Sequence, residues 1–345
     1  MEKPILVLKI GTASITKENG DLDQITMVDI VRQLASIHKK YRIVIVSSGA
    51  VGTGKNLLKN YSGKIIERKA AAAIGNPLLL NRYAQFFAPY DIAIAQSLCE
   101  RQHFSNLTQF NQLKQTFQEL WANEIIPIAN ENDVVSNLEL KFSDNDELAT
   151  LIAVGFGASN LLLGTSVPGL VDKDNNIIRR IKKIDESVLS LAHKEQSAMG
   201  LGGMVSKLTF ARLATRMGIK TTIFGIRSES GIIKALEDKV GTLFDAQKDI
   251  DPETRTAWLS SGNLVTGKLQ IEKKGVNDLL KGNSLKAISV IKIIENFEKG
   301  EIFEIQNGHG SSLAVARAII SSKEIIEKIK DTRFEIATSQ DIVML

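Results

Sequence analysis

Residues 4–14 read PILVLKIGTAS. Apolar side chains fill positions 5–8 and 10 without polar alternation, as in a strand buried on both faces of a parallel sheet. The run has one charge, Lys9, and it stops at Gly11. Ligands of open parallel sheets bind beyond the carboxyl ends of the strands. A lysine there can also snorkel to water from a sheet edge. The wholly apolar surroundings argue instead for a charge aimed at a ligand. Gly11 would let backbone N–H groups approach an anion closely.

Downstream, short β-branched runs alternate with longer amphipathic ones. MVDIVRQLASIHKK (27–40) has helical spacing, RIVIVSSGA (42–50) is a buried strand, KAAAAIGNPLLLNRYAQFF (69–87) is helical and DIAIAQ (91–96) is a strand. The same rhythm continues through helix 107–123, a strand running into a polar loop at 124–133, helix 147–158, strand 160–165, a helix opening at Lys207 and strand 221–226. This alternation predicts an α/β fold, a mostly parallel sheet with helices on both faces. Near residue 250 the pattern changes. Residues 251–263 read as a linker between a first domain at 1–250 and a second at 264–345. The short strands and Gly turns of the second predict a small, mostly-β, barrel-like domain.

The 345 residues are 43% hydrophobic and 24% charged, ordinary for a folded soluble chain, with a formal net charge of +4. The single cysteine, Cys99, excludes an internal disulfide framework and a CxxC metal site, and reads as a small core residue in a reducing compartment. The amino terminus lacks a signal-peptide h-region, and no window approaches the ~20 apolar residues of a membrane span. A cytoplasmic protein is expected. The four histidines, His38, His103, His193 and His309, show no metal spacing, and no metal-ligand set is expected.

Three further stretches carry chemistry. Strand 42–47 ends in SSGAVGTGK, where Ser47, Ser48, Gly49, Gly52 and Gly54 read as a helix cap and also as a carboxylate or phosphate site. The segment 129–150 carries Asn130, Glu131, Asn132 and Asp133, then Asp144, Asn145 and Asp146 ahead of a helix. One such cluster is an ordinary Asx cap; two bracketing one excursion suit an amino acid, with amides for its carboxylate and acids for its ammonium group. GLGGMVSK (200–207) is neither a Walker loop, which needs GxxxxGK[ST], nor a dinucleotide fingerprint, since Val205 replaces the third glycine. Its glycines would form a nest for phosphate, and Lys207 would stand in the first helical turn, where a negative ligand offsets the unfavourable helix dipole.

In order, KIGTAS, IVSSGAVGTGK, IANENDVVS, SDNDELATLIA, LLLGT and GLGGMVSK resemble the amino acid kinase family, and residues from about 264 resemble its appended PUA domain. The resemblance implies ATP-dependent phosphorylation of the L-glutamate γ-carboxylate, the first step of proline synthesis, with Mg²⁺ carried mainly by ATP. It implies that Lys9 and Lys207 flank the transferring phosphoryl group and that Asp146 holds them. Ser48, Gly49, Asn130, Asp133 and Asn145 match substrate-binding positions. Lys9, Gly11, Thr165, Ser166, Leu201, Gly202, Gly203, Met204, Val205, Ser206 and Lys207 match nucleotide-binding positions. Ala13 and Ser166 stand where relatives commonly have Ser and Asp. Also implied are proline as feedback inhibitor, a homo-oligomer and a downstream glutamyl phosphate reductase. An aspartate or uridylate kinase, or an RNA-binding PUA protein, are the competing readings. Residues 268–345 carry 12 Lys/Arg against 11 Asp/Glu, a poor electrostatic footprint for RNA.

Overall fold

The structure is a computed structural model describing residues 2–17, 21–135, 144–185, 187–188, 191, 203–247, 265–297, 302–328, 333–339 and 342–344. The chain divides into two compact units, Met1–Arg101 with Asn111–Pro252, and Gln102–Phe110 with Glu253–Leu345.

Among the described residues, the first unit holds one eight-stranded sheet. Its strands are β1 (Ile5–Ile10), β2 (Arg42–Ser47), β3 (Ile94–Cys99), β4 (Ile126–Glu131), β5 (Asn160–Thr165), β6 (Arg180–Ile181), β7 (Lys220–Gly225) and β8 (Thr242–Phe244), in the order β3-β4-β2-β1-β5-β7-β8-β6. All pairs are parallel except β7–β8. The chain builds β2, β3 and β4 on one side of β1 and then places β5 on the other. That reversal opens a crevice at the carboxyl end of β1, beside Lys9.

Alternation along β1 sets what each face meets. Leu6, Leu8 and Ile10 join a core with Met27, Ile30, Val31 and Leu34 of α2 (Gln24–Ile37) and Leu79, Tyr83 and Phe87 of α4 (Ile65–Phe87). Each such side chain, fully removed from water, contributes about 1.5–3 kcal/mol. Helix α2 starts where it does because Asp23 accepts the Thr26 N–H at 3.3 Å. The opposite face is covered by α7 (Asn145–Phe156), which contacts β1, β2, β4 and β5 and also α8 (Gly203–Arg216). Every α7 residue from Asp146 to Phe156 is buried. A helix apolar all round is a helix enclosed on all sides, and α7 forms the middle of three layers.

Two details depart from the sequence reading. Strand β3 begins at Ile94 rather than residue 91, because Asp91 has a left-handed φ of 55° that cannot join a strand. Gly52 and Gly54 do not form an anion loop; they lie inside α3 (Ala50–Lys55). A Cβ on Gly54 would fall 2.0 Å from the Ala71 carbonyl oxygen, and one on Gly75 would fall 1.8 Å from the Ala50 carbonyl oxygen. These glycines therefore let α3 and α4 cross in backbone contact. Gly49, just before α3, has φ 114°, a conformation that favours glycine.

In the second unit, β9 (Val265–Ile271), β11 (Val290–Glu295), β12 (Ile302–Asn307), β13 (Ser312–Arg317) and β15 (Ile342–Met344) form a sheet ordered β11-β9-β12-β13-β15. A ribbon of β10 (Leu285–Lys286) and β14 (Glu335–Ala337) shares its core, where Leu269, Phe303 and Ile305 meet Leu285 and Ala337. Two helices, α10 (Lys273–Leu280) and α11 (Ser322–Lys328), stand among the strands of this mostly-β unit. Val276, Leu279 and Leu280 recur at helical spacing within α10, a signal the short segment obscures. Among the described residues no helix is long and apolar enough to cross a membrane.

Candidate active site

The three layers meet at one carboxylate. Lys9 extends from the end of β1, Asp146 is the second residue of α7, and Lys207 reaches across from α8. The Lys9 ammonium lies 2.7 Å from Oδ1 of Asp146, and Lys207 Nζ donates to Oδ2 at 2.8 Å. All three are buried, at 5%, 1% and 7% exposure respectively. Lys9 is thus no edge lysine snorkelling to water. Burial pushes its pKa below the ordinary 10.5, Asp146 pulls it back up, and the Lys207 charge pushes it down again. Two buried cations share one anion at the mouth of the crevice, and Asp144 is the next carboxylate to act on Lys9.

Asp144 caps α7, its Oδ1 accepting the backbone N–H groups of Asp146 at 2.8 Å and Glu147 at 3.3 Å. Its other oxygen accepts the Ser206 hydroxyl. One carboxylate therefore ties the start of α7 to the start of α8. Arg101 fixes the same turn from outside, its guanidinium forking onto Glu147 at 2.8–3.0 Å.

Beside the clamp runs a chain of amides. Asn145 Nδ2 donates to Ser48 Oγ at 2.7 Å and to Asn130 Oδ1 at 2.9 Å, and Asn130 Nδ2 donates to Asn76 Oδ1 at 3.0 Å. Asn145 Oδ1 and Asn76 Nδ2 are buried without a hydrogen-bond partner among the described residues. Buried polar atoms are rarely left so, and of these two residues Asn145 lines the neighbouring cavity. The chain borders a cavity of about 560 Å³ lined by Ser48, Gly49, Asn130, Asp133 and Asn145. Sequence reasoning had named those five for substrate. It had not named Thr12, Lys55, Tyr61 or Arg68, which line the same cavity. Nor had it named Asn76, whose one signal is an amide within an otherwise apolar helical run.

On the other side of Lys9, the residues expected at the nucleotide are partly described. Gly11 follows β1, half-buried Thr165 ends β5, and exposed Ser166 follows it. Gly203, Met204, Val205 and Ser206 form the first turn of α8, while Leu201 and Gly202 lie outside the described residues. Because α8 already begins at Gly203, Lys207 is its fifth residue and stands beyond the first turn, contrary to the sequence reading. Its charge is balanced by Asp146 rather than by position on the helix dipole. Among the described residues no group of three His, Cys, Asp or Glu side chains could hold a metal ion. Cys99 is fully buried, with its thiol pushed up to about 11 by burial.

A mostly parallel sheet whose carboxyl edge presents paired lysines, a bridging aspartate and an amide-lined cavity has the form of a small-molecule kinase. The chain belongs to the amino acid kinase family, which its residues 4–225 match, and its residues 267–336 match the PUA domain. It is similar to glutamate 5-kinases. It is 33% identical to that of Haemophilus influenzae over 348 aligned residues, spanning 97% of this chain and 94% of that protein. It is 32% identical to that of Streptococcus suis over 347, spanning 97% of each. Its fold resembles a carbamate kinase from Giardia lamblia bound to AMP-PNP, with a TM-score of 0.52 and 18% identity, covering 72% of this chain and 99% of that one.

Proposed function

We infer that this chain transfers the γ-phosphoryl group of ATP to the side-chain carboxylate of L-glutamate, giving γ-glutamyl phosphate and ADP, the step that opens proline synthesis. The observation that carries this reading is the clamp: Asp146 holds Lys9 and Lys207 on its two oxygens at 2.7 and 2.8 Å, beside the amide-lined cavity. Similarity to glutamate 5-kinases over 97% of the chain supports the choice of substrate.

The chemistry suits the residues present. A glutamate side chain with a pKa near ~4.3 is ionised at neutral pH, so the attacking oxygen needs no general base. Its oxygen bonds to the γ-phosphorus as the bond to the β-phosphate oxygen breaks, and ADP leaves. The protein's task is then to place the reactants in line and to neutralise charge spread over the equatorial oxygens. Lys9 and Lys207 perform the second task. Asp146 keeps Lys9 charged against the burial that would otherwise discharge it.

Gly11, Thr165, Ser166 and residues 201–207 are assigned to ATP. Mg²⁺ would be carried mainly by the ATP phosphates and would help neutralise their charge; Asp146 is ion-paired to both lysines and Asp144 accepts hydrogen bonds on both oxygens. Ser48, Gly49, Asn130, Asp133 and Asn145 are assigned to glutamate. Residues 1–250 form the catalytic domain, 251–263 the linker and 264–345 the PUA-like domain, whose near-neutral charge disfavours RNA. The reading extends to a cytoplasmic homo-oligomer inhibited by proline. Its labile acyl phosphate would pass to glutamyl phosphate reductase.

A coupled assay of ADP release with glutamate, aspartate and UMP tests the substrate, run with and without proline. Turnover with glutamate and trapping of its acyl phosphate by hydroxylamine are expected. Turnover confined to aspartate or UMP would reassign the cavity.

A further inference from the structure

The cavity sorts its charges by wall. Its carboxylates, Glu131, Asp133 and Asp144, all come from β4 and the segment leading into α7. Its cations, Lys55 and Arg68, come from the last turn of α3 and the first turn of α4. An α-amino acid carries the same division: an ammonium and a carboxylate on one carbon, with the reacting carboxylate at the other end.

Both cations lack an internal counter-charge. Among the described residues neither the Lys55 ammonium nor the Arg68 guanidinium has an ion pair or side-chain hydrogen bond. The nearest acid in sequence, Glu67, is committed elsewhere. It accepts the Ser62 N–H at 2.6 Å, the Ser62 hydroxyl at 3.0 Å and the Lys64 N–H at 3.3 Å. The Ser62 N–H, the largest influence, outweighs the desolvation penalty and with the Ser62 hydroxyl and Lys64 N–H holds this carboxyl below its ordinary range. Those same bonds staple the loop bearing the cavity residues Tyr61 and Gly63 onto α4. The Gly54–Gly75 crossing fixes α3 against α4, so both cations stand on one rigid platform.

We propose that Arg68, assisted by Lys55, binds the α-carboxylate of the amino acid substrate and so sets specificity. The inference rests on the kinase reading above and deepens it. A guanidinium offers a planar fork matched to a carboxylate, which an ammonium does not. With the α-carboxylate on Arg68 and Lys55 and the ammonium on the acids of β4 and the segment before α7, the side chain is left to run toward Lys9 and Lys207. A neutral group in place of the α-carboxylate leaves both cations unanswered.

The test compares L-glutamate with L-isoglutamine, which keeps the γ-carboxylate and replaces the α-carboxylate by an amide. Kinetic constants for both, and for ATP, are measured on wild type, Arg68→Gln, Arg68→Lys and Lys55→Gln. Wild type should favour glutamate in kcat/KM by about tenfold or more, the scale of one hydrogen bond to a charged group. Arg68→Gln should raise the glutamate KM about tenfold with kcat and the ATP KM unchanged, and erase most of that preference. Arg68→Lys should recover part of it. An undiminished preference in both Arg68→Gln and Lys55→Gln overturns the proposal while leaving the kinase reading intact. A wild-type enzyme inert toward both amino acids removes the kinase reading itself, and this inference with it.

Discussion

The ammonium of Lys9, on the central strand of the sheet, lies 2.7 Å from a carboxylate oxygen of Asp146, a residue 137 positions later in the chain. Asp146 spends its other oxygen on Lys207 at 2.8 Å. Substituting Asp146→Asn keeps the shape and removes the charge, leaving two buried lysines unbalanced. Breaking a buried pair this way costs about 3–5 kcal/mol. Urea unfolding should show that loss, and kcat should fall by about a hundredfold or more.

Lys9 also dictates a pH dependence. Its folded pKa lies below 10.5, lowered chiefly by burial. Between the folded and unfolded values the unfolded chain holds a proton the folded chain has released, so stability rises with pH across that window. The penalty for a buried charged Lys9 is full below the folded pKa and gone above 10.5. Urea midpoints of wild type minus Lys9→Met, taken from pH 7 to 11, isolate this component from other titrating groups. The difference should move in favour of wild type as pH rises. Turnover should decline on the alkaline side before an ordinary lysine would titrate.

Asp133 lines the cavity with Ser48, Asn130 and Asn145. Asp133→Ala should raise the glutamate KM by about tenfold while changing the ATP KM little. Steady-state kinetics with each substrate varied in turn check this. A larger effect on ATP would move that loop to the nucleotide.

The crossing of α3 and α4 admits no Cβ. Gly75→Ala would set a methyl group 1.8 Å from the Ala50 carbonyl oxygen, so the helices must part. Overpacking of this kind costs about 3 kcal/mol or more. Because α3 carries Lys55 and follows Ser48, the glutamate KM should rise as well. Gly63→Ala, where a Cβ meets nothing within 4 Å but φ is 86°, provides a control dominated by backbone strain of about 1 kcal/mol. Thermal or urea unfolding should rank Gly75→Ala well below Gly63→Ala.

Some of this is legible in the chain and some is not, for physical reasons. Lys9 betrays itself as a lone charge in an apolar strand, and Asp146 as part of an acid–amide cluster before a helix. NLLLGT is a strand in both views because its apolar run is paired on both edges, with β1 and β7, and is buried along Leu161–Gly164. Arg68 is different. In IIERKAAAA it looks like any solvated face, and it is exposed in the structure as well; only the placement of α3 and the 61–64 loop brings it into the cavity lining. The glycines of AVGTGK illustrate a second limit. Close backbone packing and anion binding both demand glycine, and only the crossing with α4 tells them apart. Strand β3 starts later than hydropathy suggests because a single left-handed residue, Asp91, prolongs the preceding turn.

In the proposed reaction Lys9 and Lys207 act together on one migrating phosphoryl group. The most direct test is a rapid-quench single turnover with γ-labelled ATP and glutamate, the acyl phosphate being trapped as hydroxamate. Wild type, Lys9→Ala and Lys207→Ala are compared at saturating ATP. Each variant should retain its fold and still bind ATP, yet form acyl phosphate about a thousandfold more slowly, the scale of losing a preorganised charge at the reacting centre. Formation within tenfold of wild type in either variant would contradict the account.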